Sequence, residues 1–186
     1  MTRYLFPLVL ALLAACAGPG VPVAEVQLPR AAVRDFSLEA RFAVTHESER
    51  HSGRLSWQHG VGVDALQLSS PFGQVLADIR IDSQRARLIA SDRRVFEAAD
   101  VQQLTREVLG YPLPIDRLST WVLARAGVSA RVEVDGLGRP LGIEEDGWSI
   151  TYEYDQETVE ALPALIVVAR QGGPELRLRI EDWRTP

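Results

Sequence analysis

The sequence has little cysteine: one residue, Cys16, among 186. A single cysteine excludes an internal disulfide framework and zinc sites built from cysteine pairs. The three histidines, His46, His51 and His59, match no common zinc spacing, so we expect surface histidines and no metal.

The chain also lacks an apolar run of the roughly 20 residues that cross a hydrocarbon core. The run at its front, Leu5 to Ala15 behind Arg3, suits the apolar region of an export signal, so we interpret residues 1–15 as a signal peptide. The residues Leu13-Ala14-Ala15-Cys16 resemble the bacterial lipobox, in which the cysteine is lipidated, becomes the new N-terminus and is acylated again. The alternative is an ordinary signal peptide with an incidental cysteine.

Residues 16–33 are rich in Pro, Gly, Ala and Val, a composition typical of a semi-extended tether. Several acyl chains on Cys16 would hold such a tether firmly on a bilayer. The next residue is Ala17, whereas Asp at this place is the usual inner-membrane retention signal of Gram-negative lipoproteins. We therefore expect a lipid anchor in the outer membrane, with the domain facing the periplasm.

Runs of Lys or Arg are missing as well. Without residues 1–15 the chain has 19 basic and 25 acidic side chains, a net charge of −6. This balance lacks the electrostatic footprint of a nucleic-acid-binding protein, so no nucleic acid is expected as a partner.

Catalytic motifs are equally scarce. No G-x-S-x-G sequence surrounds Ser69 and Ser70, which are better explained as loop residues. We interpret Glu144, Glu145 and Asp146 as the tip of a hairpin, where charge is easily solvated. The sequence therefore predicts no enzyme.

Alternation of apolar and polar residues dominates the chain from position 34 onward. In FSLEARFAV, Phe36, Leu38 and Ala40 share one face while Ser37 and Glu39 share the other, as in a half-buried strand. Similar segments follow, and about ten antiparallel strands at short spacing predict a barrel or a strongly curved sheet.

Two short helices interrupt this pattern. Asp100 followed by Gln103 predicts a helix start, and Gly110 predicts its end. A second helix begins after YPLP and is predicted to end at Gly127. Because two short helices cover only part of the apolar face, an apolar concavity that binds a hydrophobic ligand is expected, although a fully collapsed barrel would show the same pattern.

The stretch LSSPFGQVLADI places Phe72 between the turn residues Pro71 and Gly73. A Phe side chain held in water at a loop tip forgoes the roughly 1.5–3 kcal/mol that burial contributes. Either Phe72 awaits a membrane or an apolar cargo, or it folds back onto the core.

Eight segments of the chain, in this order, resemble the LolB family of outer-membrane lipoprotein receptors. They are the lipobox, FSLEARFAV, SGRLSWQ, LQLSSPFGQVLADI, DVQQLTREVLGYPLPIDRLSTWVL, DGWSITYEY, LPALIVV and LRIEDW. The resemblance covers nearly the whole chain. It implies a half-open antiparallel β-barrel with short helices as a lid, similar to the soluble carrier LolA, in a lipoprotein-binding domain of residues 34–186.

The family resemblance also implies a function: the protein accepts acylated lipoproteins from the periplasmic carrier and inserts them into the outer membrane, as a monomer and without a cofactor. The family's exposed apolar loop residue, commonly Leu, corresponds to Phe72 in Pro71-Phe72-Gly73, a predicted membrane-insertion loop. The chain departs from the family at Ala40, where glycine is common.

Apolar residues on the inward strand faces are the candidates for contact with acyl chains, and the helical ones belong to the lid; each of them could equally be plain core. They are Phe42, Trp57, Leu66, Leu68, Ile79, Leu118, Trp121 and Ile150. Two other classes remain open: a lipocalin-like lipoprotein that binds another hydrophobic ligand, and a structural lipoprotein with a closed core.

Overall fold

A computed structural model describes residues 29–186, which form one antiparallel sheet of eleven strands and two short helices. The strands are β1 (Phe36–His46), β2 (Glu49–Gly60), β3 (Val63–Ser69), β4 (Val75–Asp82), β5 (Ala86–Ala90), β6 (Val95–Ala98), β7 (Arg131–Val134), β8 (Pro140–Glu145), β9 (Trp148–Glu153), β10 (Leu165–Arg170) and β11 (Glu175–Arg184). The helices are α1 (Val101–Leu109) and α2 (Ile115–Trp121).

The sheet is open, because its two outermost strands do not pair with each other. The strand order is β6-β5-β4-β3-β2-β1-β11-β10-β9-β8-β7, so β6 and β7 each have one neighbour. The half-open sheet that the family resemblance implies is therefore confirmed, with eleven strands where about ten were expected.

The two ends of the sheet carry different parts of the chain. We call upper the end with the turns at 47–48, 70–74, 91–94, 146–147 and 171–174. At the opposite, lower end, β1 begins at Phe36 and β11 finishes at Arg184. Since neighbouring strands run antiparallel, Phe72 and the start of β1 lie at opposite ends.

The buried face of the sheet follows from the period-2 pattern. Along β1, Phe36, Leu38, Ala40 and Val44 are buried while Glu39 is exposed. These side chains belong to a continuous core that includes both helices. At position 40 a glycine is therefore unnecessary, because the methyl group of Ala40 is accommodated in the core.

Helix α1 begins and ends as predicted. The Asp100 carboxylate accepts a hydrogen bond from the Gln103 backbone N–H at 2.7 Å, and Gly110 ends the helix in the left-handed conformation at φ +86°. The helix packs on β5, β6 and α2.

Helix α2 is shorter than predicted. It ends at Trp121 instead of Gly127, because Ala124 adopts a left-handed conformation at φ +50° that a helix cannot continue through. No helix among residues 29–186 combines the length and apolarity that a membrane span requires. The predicted signal peptide, Cys16 and most of the tether lie outside the described residues.

Candidate functional site

A cavity of about 710 Å³ lies between the two helices and the inward faces of β1–β6 and β11. Five of the candidate residues, Phe42, Leu66, Leu68, Ile79 and Leu118, are among the side chains that line it. Its volume falls within the range of roughly 300–1,000 Å³ typical of small-molecule sites. An apolar lining of this size suits flexible hydrocarbon.

Three of the predicted lining residues lie outside this cavity. Trp57, Trp121 and Ile150 are fully buried in the core and do not contribute to the lining. Trp57 packs edge-on against Phe36 at 5.3 Å between ring centroids. Ile150 lies in β9, on the half of the sheet that the cavity does not reach.

The turn at 70–74 is held by its own backbone. The Ser70 N–H donates to the Gln74 carbonyl at 2.8 Å and the Gly73 N–H donates to the Ser70 carbonyl at 2.9 Å. Gly73 has φ +86°, a conformation that glycine adopts without strain. Ser69 and Ser70 thus end the strand and shape the turn.

This turn presents Phe72 to solvent. Its side chain is 94% exposed, so the alternative in which Phe72 folds back onto the core is wrong. Pro71 and Gly73 are exposed beside it. Leu76, just after the turn, is exposed and also lines the cavity, so the turn and the cavity rim are continuous.

Gly53 in β2 supports the strand that leads into this turn. A Cβ atom at this position would overlap the Ser69 carbonyl oxygen and lie 3.0 Å from the Phe42 ring. The close approach of the two strands therefore requires a residue without a side chain.

We expect Gly53→Ala to lower the free energy of unfolding by about 1–3 kcal/mol, as overpacking does in other cores. The methyl group must displace the backbone at the end of β3. Gly136→Ala is the matched control, because nothing lies within 4 Å of the added atom. Urea unfolding of both variants measures the difference, and equal midpoints would contradict the role assigned to Gly53.

Glu145 is a structural residue that the sequence interpretation missed. Its side chain is 3% exposed rather than solvated at a hairpin tip. The carboxylate accepts hydrogen bonds from Trp121 Nε1 at 2.9 Å, from Arg117 and from the Gly127 N–H. Glu145 thereby links β8 to α2, the helix whose Leu118 lines the cavity. The sequence signal that was missed is the spacing: Glu145 follows the buried Ile143 by two positions in β8 and therefore lies on the same, inward face of the strand.

Burial by itself raises the pKa of the Glu145 carboxyl group, but the hydrogen bonds from Trp121, Gly127 and Arg117 and the charge of Arg117 outweigh it. The net effect lowers the pKa. The group therefore stays ionised at neutral pH.

The histidines are less exposed than predicted. His59 Nδ1 lies 2.7 Å from Asp64 Oδ1 and its ring stacks on Phe36, while His46 packs against Tyr111 at 4.5 Å between centroids. His51 remains exposed. Within residues 29–186, no three His, Cys, Asp or Glu residues are grouped so that they could hold a metal ion.

Comparison with known proteins adds independent findings. A family model described as "Outer membrane lipoprotein LolB" matches residues 34–183. A protein of Dechloromonas aromatica named outer-membrane lipoprotein LolB is 40% identical over 187 aligned residues, covering 98% of this chain and 97% of the relative. A protein of the same name from Thiobacillus denitrificans is 39% identical, with coverage of 88% and 87%. A crystal structure of an outer membrane lipoprotein-sorting protein domain from Vibrio parahaemolyticus aligns with a TM-score of 0.46 and 12% identity, covering 82% of this chain and 85% of that one.

Proposed function

This chain belongs to the LolB family of outer membrane lipoproteins, and from that premise we propose that it accepts acylated lipoproteins from a periplasmic carrier and inserts them into the outer membrane. The outer membrane is its location, in keeping with the names of its relatives. The observation that carries the proposal is an apolar cavity whose rim continues into an exposed Phe72.

The cavity suits acyl chains because hydrocarbon is costly to expose. Each methylene group left in water costs about 0.8 kcal/mol, so a lipoprotein crosses the periplasm only inside apolar sites. Phe42, Leu66, Leu68, Ile79 and Leu118 offer such a surface. Transfer without an energy source then requires that the affinity for the acyl chains of the cargo increases from the carrier to this cavity and from the cavity to the bilayer.

Phe72 is suited to the last step. Entering the bilayer would contribute roughly 1.5–3 kcal/mol, which the turn forgoes in water. We assign Pro71, Phe72 and Gly73 to the membrane-insertion loop and Cys16 to the lipid anchor. We propose further that the protein acts as a monomer and that its partners are a LolA-like carrier and the acylated cargo.

The proposal is tested with the lipidated protein in phospholipid vesicles and a triacylated lipoprotein loaded on the periplasmic carrier. The cargo that reaches the protein and the cargo that reaches the bilayer are measured separately. Phe72→Glu should accept cargo as the wild type does and deliver it at least about tenfold more slowly, because a charged side chain resists the bilayer.

Val61→Glu is the matched control, because Val61 is 91% exposed in the turn between β2 and β3 at the lower end. It should deliver at the wild-type rate. Delivery by Phe72→Glu at that same rate would remove the role given to the loop. If no cargo leaves the carrier while a fluorescent fatty acid still binds, a lipocalin-like function replaces the receptor.

A further inference from the structure

The turn that carries Phe72 has a neighbour at the upper end of the sheet. The turn at 91–94, between β5 and β6, lies beside it because the Ser91 N–H donates to the Leu76 carbonyl at 2.9 Å. Ala77 and Ala90, the residues just below, are partners in the β4–β5 ladder. The two turns therefore form one surface.

This surface is apolar beyond Phe72. Val75, Leu76 and Val95 are between 41% and 49% exposed, on the strands that leave the two turns. No Asp or Glu occurs between positions 65 and 77. An apolar strip whose first turn carries no acidic residue is compatible with contact to a lipid surface.

Arginines flank the strip on both sides. Arg54 lies in β2 opposite Ser69, the last residue of β3, and Arg93 lies in the turn on the other side, with φ +67°. Both are exposed, and neither has an ion-pair partner among residues 29–186. The acidic residue next to Arg93 is Asp92, and its carboxylate is already bound to Arg94 at 2.6 Å.

We propose that this two-turn surface, made of Phe72, Val75, Leu76, Val95, Arg54 and Arg93, docks on a bilayer that contains anionic phospholipid. The guanidinium groups of Arg54 and Arg93 bind lipid phosphates, since a planar fork of donors fits phosphate oxygens. Val75, Leu76 and Val95 then follow Phe72 into the interface. The inference rests on the proposed function and extends it from one side chain to a surface that recognises lipid charge.

Docking in this way brings the cavity rim to the membrane. Leu76 belongs to the strip and also lines the cavity. Arg94, in the second turn, lines the cavity as well. A cargo chain leaving beside Leu76 would meet hydrocarbon without crossing water. The surface therefore provides a path for delivery. The negative charge of the lipid sets the fraction of time that this surface is in contact with the bilayer.

The test uses the lipidated full-length protein in vesicles of phosphatidylcholine with and without phosphatidylglycerol. Cys16 is the only cysteine of the sequence, so a cysteine introduced as Val95→Cys, Gln74→Cys or Val61→Cys can be labelled selectively with a polarity-sensitive fluorophore. The lipid anchor keeps the protein on both kinds of vesicle, so the emission wavelength reports contact of the labelled site with lipid.

We expect blue-shifted emission at positions 74 and 95 in anionic vesicles and unchanged emission at position 61. Adding Arg54→Glu or Arg93→Glu should lower the ratio of lipid-contacting to water-exposed label at position 95 by at least about fivefold for each substitution in anionic vesicles. High salt should lower the same ratio, and the ratio in neutral vesicles should not change. Arg34→Glu is the control, because Arg34 is exposed at the lower end and has no ion pair among the described residues.

A label at position 95 that stays in water while position 74 shifts would overturn the two-turn surface and leave the role of Phe72 intact. An equal shift of position 95 in neutral and anionic vesicles would also overturn it, because lipid charge then has no part. If neither label shifts, the insertion loop of the proposed function fails as well.

Discussion

A Glu145→Ala variant is expected to lose about 2–4 kcal/mol of unfolding free energy. The substitution leaves the Trp121 Nε1–H buried without an acceptor, which costs about 1–3 kcal/mol, and it removes packing beneath α2. The ion pair with Arg117 adds little to this figure, because the Arg117 side chain is 40% exposed and is rehydrated when released. Urea unfolding at neutral pH measures the loss.

Glu145→Gln separates the charge from the hydrogen bond. The amide oxygen can still accept from Trp121, so this variant should be more stable than Glu145→Ala. If the two variants unfold at the same urea concentration, the Trp121 hydrogen bond is not the source of the stability.

The wild type and Glu145→Gln should also differ in their pH dependence. Because the pKa of Glu145 is lower in the folded state than its ordinary value of 4.5, its ionised form stabilises the fold above that pH. This contribution is lost as the pH falls through the folded-state value. The stability of the wild type should therefore decline in acid more steeply than that of Glu145→Gln, and parallel declines would contradict the assignment.

Trp57→Ala should cost about 3–5 kcal/mol, the largest effect that we expect from one substitution. Trp57 is fully buried, packs on Phe36 and donates through Nε1 to Asp64 at 2.8 Å. Thermal and urea unfolding should both show the loss. Leu66→Ala is the comparison: this neighbour of Trp57 in the β2–β3 ladder lines the cavity.

The two variants should differ in kind. Trp57→Ala should lower stability while the remaining folded protein binds a fluorescent fatty acid with unchanged affinity. Leu66→Ala should enlarge the cavity and alter that affinity. Weakened binding with full stability in Trp57→Ala would mean that the indole lines the acyl site after all.

The faces of the strands could be predicted from the sequence, but the depth of each side chain could not. Period-2 alternation identifies Trp57, Leu66 and Ile150 equally as inward. Whether an inward residue meets another side chain or an empty space depends on where the two helices lie over the sheet. That placement is set by contacts between distant segments, such as Trp121 with Glu145, which have no local signature.

Turn chemistry was more informative than charge. Pro71 and Gly73 correctly indicated an exposed turn, because backbone preferences are local. The three acids at 144–146 were misinterpreted because a charged residue is usually solvated. Glu145 departs from that rule, since Arg117 and Trp121 from another element satisfy its carboxylate.

Because Phe72 and the start of β1 lie at opposite ends of the sheet, the segment between Cys16 and the domain must be long enough to span the domain. β1 alone, with 11 residues, spans roughly 36 Å between the lower and upper ends. Residues 30–33 are held on the domain, because Val33 is buried and Arg125 donates to the carbonyls of Arg30 and Val33. The linker between an anchor at Cys16 and Pro29 therefore has 12 residues, 17–28, and its contour length is at most roughly 45 Å. The linker is therefore long enough to let the domain stand on its upper end while its own attachment point faces away from the bilayer. A linker of half that length would hold the domain by the wrong end.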